Sequence, residues 1–239
     1  MVSAISDLKV KIFADGADRA GMLDMAAQPY IAGFTTNPTL MRKAGINDYR
    51  AFALDIVQQI RDRPLSFEVF SDEFVEMERQ AHEIACWGSN VYVKIPVTNT
   101  RAEPAYNLIE RLAAAGVRQN VTALMTLEQV ESVSQALATG PSSYISVFAG
   151  RIADTGRDPL PIMSEALRIM RPYIQLELIW ASPRELLNIF HADQIGCHII
   201  TVTNDVLQKL RLVGKDLAEY SLETVKMFYN DASKAGYTL

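Results

Sequence analysis

Short runs of β-branched and apolar residues alternate along the chain with longer stretches in which apolar residues recur at helical spacing. Eight such runs predict strands over 9–14, 31–35, 66–70, 91–95, 120–124, 144–148, 175–180 and 198–202, each followed by turn residues and a helical segment. Strand starts recur about every 25–30 residues, the length of one βα unit. The helices carry their own start signals. Asp48 is placed to cap a helix running through Phe52, Ile56 and Ile60, and Thr126 to cap another with Glu128 and Gln129 in its first turn. Pro159-Leu160-Pro161 opens a third, where the donor that proline lacks would be unpaired anyway.

Eight units without a linker or low-complexity tract predict one α/β domain over 1–239. The architecture they fit is a single (β/α)8 TIM barrel over about 9–212 with an additional C-terminal helix over about 215–235. An open doubly wound sheet is the alternative, but it leaves edges to cover. In the last segment Val225, Phe228, Tyr229 and Ala232 share one helical face, expected to pack on the barrel or on a second subunit.

Composition narrows the partners. Apolar residues make up 49 % of the chain and charged residues 21 %, enough for a sizeable core. A net charge of −5 argues against a nucleic acid or an anionic membrane as partner, so any anionic ligand must be met by local cations. Cys86 and Cys197 have no paired spacing and read as reduced, buried thiols of a cytoplasmic protein. The first residues, Met1-Val2-Ser3-Ala4, begin no signal-peptide pattern, and the uncharged stretch 132–150 is broken by Gly140 and Pro141, so no membrane span is expected.

Polar residues gather where the apolar strands stop. Lys94, inside Val91-Tyr92-Val93-Lys94-Ile95-Pro96, is the most informative, because an ammonium is costly to bury and desolvation favours the neutral amine that attacks carbonyls. On its own it reads equally as an ion-paired strand lysine. Asp15 and Glu68 end the first and third strands, suited to acid–base work near an amine or to capping and ion pairing. Arg151 and Arg184 follow the sixth and seventh strands and could grip a phosphate, or pair with Asp154 or Glu185. Ser182 opens the seventh helix, where backbone N–H groups favour anions.

Other chemistries lack support. His82, His191 and His198 form no HxH or HExxH pattern; His82 and Cys86 share a helix face but lack a third ligand, so no metal is expected. There is no GxGxxG or Walker loop. Met22, Met25, Met163 and Met170 read as core filler.

These residues resemble the transaldolase family, including its short members and the fructose-6-phosphate aldolases. The matching segments are Phe13-Ala14-Asp15, Gly33-Phe34-Thr35-Thr36-Asn37-Pro38-Thr39-Leu40, Val93-Lys94-Ile95-Pro96-Val97-Thr98, Asn120-Val121-Thr122, Gly150-Arg151-Ile152 and Ala181-Ser182-Pro183-Arg184, in family order along residues 9–210. The resemblance implies a class I, Schiff-base enzyme acting on small sugar phosphates without metal or organic cofactor, and a homo-oligomer, pentamer or decamer. It implies that Lys94 attacks the ketose carbonyl, that Asp15 takes the donor's hydroxyl proton, and that Glu68 and Thr122 manage a catalytic water. Asn37, Asn120 and Ser146 would hold the three-carbon unit, Arg151, Ser182 and Arg184 the phosphate, and Thr35 would also contact substrate.

Glu68 and Phe148 match the transaldolases, where the aldolases have glutamine and tyrosine; phenylalanine cannot protonate the enamine, so transfer is expected over free cleavage. Trp180 stands where the family has a small residue. Two residues before Ser182, it is expected on the same side of strand seven, either narrowing the sugar pocket or simply packing. The rival readings are simple aldol cleavage, a modified donor such as a sulfonated ketose, and a non-catalytic barrel that binds sugar phosphates.

Overall fold

The structure is a computed structural model that describes residues 5–239; residues 1–4, read above for a leader, lie outside the described residues. Eight parallel strands close into a barrel in chain order: β1 Lys11–Asp15, β2 Ile31–Thr35, β3 Leu65–Glu68, β4 Val91–Pro96, β5 Gln119–Leu124, β6 Ser143–Val147, β7 Leu176–Trp180 and β8 Ile199–Thr203. β8 pairs back to β1, so no edge is left open. Around the strands lie α1 Arg19–Ala26, α2 Pro38–Lys43, α3 Tyr49–Gln59, α4 Phe74–Ala85, α5 Tyr106–Ala114, α6 Leu127–Ala136, α7 Ala149–Asp154, α8 Pro159–Met170, α9 Leu187–Gln194, α10 Asn204–Leu207 and α11 Leu217–Ala235. No helix among the described residues is long and apolar enough to cross a membrane.

The helix starts follow their sequence signals. Asp48 accepts from the Ala51 N–H, Thr126 and Gln129 form a reciprocal capping box, and Asp158 caps the helix that Pro159 opens. The third strand stops at Glu68 instead of reaching Phe70, because the Phe70 and Ser71 N–H groups leave the ladder and donate to Gln80 Oε1. Phe148 likewise lies past its strand, at the start of α7.

Side chains alternate across each strand and divide into two cores. One set, including Phe34, Val93, Ile95, Val121, Leu178 and Trp180, packs outward against the helices. The other fills the bore: Phe13, Tyr92, Tyr144, Ile179 and Ile199 form a buried layer in which Tyr92 and Tyr144 stack at 4.1 Å and Phe13 meets Tyr144 edge-on. Gly33 belongs to this layer by necessity, since a Cβ there would sit 2.6 Å from the Phe13 ring. Below it Lys11 and Glu177 pair across the base.

One expectation needs correction, and another narrows. Cys86 is exposed, because it follows α4 at its C-cap on the solvent side; Cys197 is buried, and burial pushes its thiol up to about 12. No residue of α11 is buried against the barrel, and Val225, Met227, Phe228 and Tyr229 are exposed.

Candidate active site

The alternation that puts Phe13 and Tyr92 in the bore puts Asp15 and Lys94, two residues on, one layer higher. There the bore widens into a cavity of about 670 Å³ at the C-terminal ends of the strands. Asp15, Thr35, Asn37, Glu68, Lys94, Thr122, Ser146, Phe148, Arg151, Ser182 and Arg184 all line it, drawn from seven strand ends and the turns after them.

Lys94 sits opposite Glu68 in the β3–β4 register, its amine 3.2 Å from Glu68 Oε2, with both side chains largely buried. The amine also donates to the Thr36 carbonyl at 2.8 Å. That carbonyl is aimed by the turn after β2, where the Thr36 N–H and hydroxyl both bond to Ser66 O. Glu68 is fixed from behind: the Tyr49 hydroxyl donates to its carbonyl and accepts from its N–H, each at 2.8 Å. Burial pushes the Tyr49 phenol up, so it remains a neutral clamp.

Asp15 faces Lys94 across the cavity. Burial raises its carboxyl above the usual carboxylate range; the Lys94 charge and a 2.7 Å hydrogen bond from Thr35 pull it down, and Glu68 pushes it up. A buried carboxylate so balanced is suited to taking and returning a proton.

Thr122 occupies the β5 end, where the β5–β6 register shifts and Ala123 adopts a left-handed φ of 66°. Its hydroxyl is buried, lines the cavity and has no hydrogen-bond partner among the described residues. An orphaned buried hydroxyl of this kind is a ready partner for a water or a ligand oxygen. Asn120 does not line the cavity: its amide donates to Ser66 Oγ and accepts from the hydroxyl of Ser146, which does line it. Asn37 caps α2 through its side-chain oxygen while lining the cavity wall.

The opposite wall is cationic. Arg184 pairs with Asp154 through two hydrogen bonds, one of them 3.0 Å, and holds that carboxyl below its usual range. Arg151 lies over the Phe148 ring at 5.7 Å. Ser182 takes a left-handed φ of 58° and turns its carbonyl onto Gly150, where a Cβ would fall 1.5 Å from that oxygen. Only glycine fits there, and this contact draws the Arg151 helix against the Arg184 loop.

Trp180 is the residue that the sequence misplaces. It is 1 % exposed and packs outward with Leu176 and Leu178 against the helix layer, so it does not line the cavity. The two-residue spacing to Ser182 carries no facing information, because the strand ends at Trp180 and the left-handed Ser182 breaks the alternation. Ala181 is the residue that faces the bore.

The reading from sequence also missed Lys43, Thr201, Thr203 and Asp205, which complete the wall near Asp15. Thr201 and Thr203 had a visible signal: hydroxyls alternating with Ile200 and Val202 on an otherwise apolar strand. Asp15, Lys43 and Asp205 also border an adjoining recess of about 440 Å³. Among the described residues no three His, Cys, Asp or Glu side chains gather closely enough to hold a metal.

A family description, Transaldolase/Fructose-6-phosphate aldolase, matches residues 12–239. A probable transaldolase of Thermoanaerobacter sp. (strain X514) is 35 % identical over 95 % of this chain and 99 % of its own length. Another, from Dehalococcoides mccartyi, is 34 % identical over 84 % of this chain and 90 % of its own. Among solved structures, 3-hexulose-6-phosphate synthase from Salmonella typhimurium superposes with a TM-score of 0.59 at 13 % identity, covering 85 % of this chain and 96 % of that one, a likeness of fold alone.

Proposed function

The chain belongs to the transaldolase/fructose-6-phosphate aldolase family, and from that premise we propose that it transfers a dihydroxyacetone unit from a ketose phosphate to an aldose phosphate through a Schiff base on Lys94. The observation that carries this reading is a buried amine paired with Glu68 and facing a second carboxyl, Asp15, beneath a cavity with two arginines on its far wall.

In this reading Glu68 accepts the ammonium proton, the free amine adds to the ketose carbonyl, and Glu68 returns the proton to the departing hydroxyl, which leaves as water. The Thr122 hydroxyl is placed to hold that water. Asp15 then takes the proton of the donor's C4 hydroxyl while the C3–C4 bond breaks. Its electron pair passes into the protonated imine, leaving an aldehyde and a three-carbon enamine on Lys94. An acceptor aldehyde reverses these steps, with Asp15 returning the proton to the new alkoxide. Ser146 and Asn37 hold hydroxyls of the three-carbon unit, with Asn120 orienting Ser146. Arg151, Arg184 and Ser182 take the phosphate, whose binding away from the reacting carbons orients them. Phe148 beside the cavity has no proton to give the enamine, which favours transfer over release.

Borohydride reduction in the presence of fructose 6-phosphate, followed by mass spectrometry, tests the reading. A three-carbon adduct on Lys94 is expected; no adduct with any ketose phosphate, together with full activity in Lys94→Ala, would overturn it. Rapid release of dihydroxyacetone without an acceptor would convert it to simple aldol cleavage. We further propose that the exposed apolar side of α11 belongs to a homo-oligomer of this chain, which light scattering would reveal as a mass several times 26.6 kDa.

A further inference from the structure

We propose that Thr201, on β8, is a positioning residue for Asp15, acting through Thr35 as a two-hydroxyl chain that keeps the carboxylate oriented and ionised. This rests on the transfer reading above, in which Asp15 is the base. The geometry is specific. Asp15 is paired in register with Thr35 on one side and Thr203 on the other, while Thr201 is one layer down, opposite Phe13. The Thr35 hydroxyl is 2.7 Å from Asp15 Oδ1 and 2.5 Å from the Thr201 hydroxyl. Thr201 therefore reaches from β8 to β2 beneath the Asp15 side chain, with the Phe13 layer as an apolar floor.

Hydrogen counting sets the direction. An ionised carboxylate only accepts, so the single hydroxyl hydrogen of Thr35 is committed to Asp15. The contact between the two hydroxyls must then be filled by the hydrogen of Thr201, and the chain runs Thr201 to Thr35 to Asp15. Thr201 is 6 % exposed, and Thr35 is its hydrogen-bond partner among the described residues. A hydroxyl that accepts one bond donates a stronger one, and bonds to a charged acceptor are the stronger class. When Asp15 takes the substrate proton, both hydroxyls can rotate and the chain reverses, Asp15 to Thr35 to Thr201. The charged form gains more than the neutral one, so the chain opposes the effect of burial. The other charged groups facing Asp15 are Lys94 on β4, Glu68 on β3, Lys43 on α2, Asp18 on the turn after β1 and Asp205 on α10. None of them touches Thr201 through a hydrogen bond or ion pair among the described residues.

Thr201→Val keeps the volume and removes the donor; Thr201→Ser keeps the donor and trims a methyl group. In the resting protein, the Asp15 carboxyl titration, read by ¹³C-aspartate NMR and assigned with Asp15→Asn, is expected to move up by roughly half a pH unit in Thr201→Val and to return in Thr201→Ser. In the enzyme assay, the acidic limb of the kcat profile should follow. That gives about a threefold loss on that limb, while donor KM and borohydride trapping of dihydroxyacetone itself at Lys94, which needs no bond cleavage by Asp15, stay at wild-type level. An unmoved titration in Thr201→Val overturns the proposal, as does a serine variant that behaves like valine or a loss of dihydroxyacetone trapping in parallel with turnover. Because the titration needs no substrate, absence of a Lys94 adduct in the wild-type protein would overturn the transfer reading and leave the hydroxyl chain to be judged by NMR.

Discussion

At the C-terminal end of the bore Lys94 and Glu68 stand 3.2 Å apart, with 7 % and 16 % of their side chains exposed; at the N-terminal end Lys11 and Glu177 stand 2.7 Å apart, with 52 % and 24 % exposed. The shorter pair is the less consequential one. Water screens Lys11 and can replace Glu177, so that contact contributes little. Lys94 and Glu68 have given up most of their hydration, and removing one strands the other's charge in a buried site. The same two residue types on the same alternating strands thus make a solvated closing contact at one end and a buried ion pair at the other, the pair to which the proposed reaction assigns its amine and its acid–base group. The aromatic layer of Phe13, Tyr92 and Tyr144 keeps the two environments apart.

The largest contrast is predicted between Lys94→Ala and Lys11→Ala. The first should abolish turnover and the borohydride adduct; the second should leave both intact and cost less than about 1 kcal/mol in denaturant unfolding. A comparable loss of activity in both variants would break the comparison. Next is Asp15→Asn, expected to lower kcat by roughly 10²- to 10⁴-fold, the usual range for an acid–base group. Burial raises the Asp15 carboxyl above its unfolded value, so its contribution to stability is full below the usual carboxylate range and is lost as pH rises through its folded pKa. The asparagine variant should therefore melt about 2–4 °C higher than wild type at neutral pH. The gain should shrink as the pH falls toward the usual carboxylate range, and a constant offset across pH would contradict this.

A smaller effect is expected at the cationic wall. Arg184→Ala should raise KM for a phosphorylated donor by about 10- to 100-fold with kcat little changed, as expected for losing a hydrogen bond to a charged group. Asp154→Ala, which frees Arg184 from its carboxylate, should move KM the other way in steady-state assays. The smallest is Trp180→Phe, which should leave KM for every sugar unchanged and cost about 1–3 kcal/mol of stability. A shift in sugar preference there would mean that the outward packing of Trp180 is wrong.

The barrel was legible because its signal is repeated: β-branched runs followed by helical stretches recur eight times, and caps such as Asp48 and Thr126 mark some of the helix starts. The site was legible where a charged or hydroxyl residue interrupts an apolar strand, as Lys94 does on β4. What escaped depended on backbone geometry at the strand ends. Trp180 was assigned the wrong face because nothing in Ala181-Ser182-Pro183 announces a left-handed serine, whose carbonyl needs the bare Gly150 beside it. Asn120 was expected on the substrate but does not line the cavity: although it pairs with Lys94 in the β4–β5 register, its amide is engaged by Ser66 and Ser146. Thr201 was read only as part of an apolar strand, and its link to Thr35 passes beneath the strand between them.

The stacked tyrosines at the base have a consequence for traffic. With the bore plugged below, whatever reaches Lys94 must enter from the C-terminal end of the barrel. On the transfer reading proposed above, a phosphorylated acceptor seated between Arg184 and Asp15 would stand in the path of the solvent that hydrolyses the imine. Partition between transfer and hydrolysis then becomes a contest for one doorway, decided by how long the doorway is occupied.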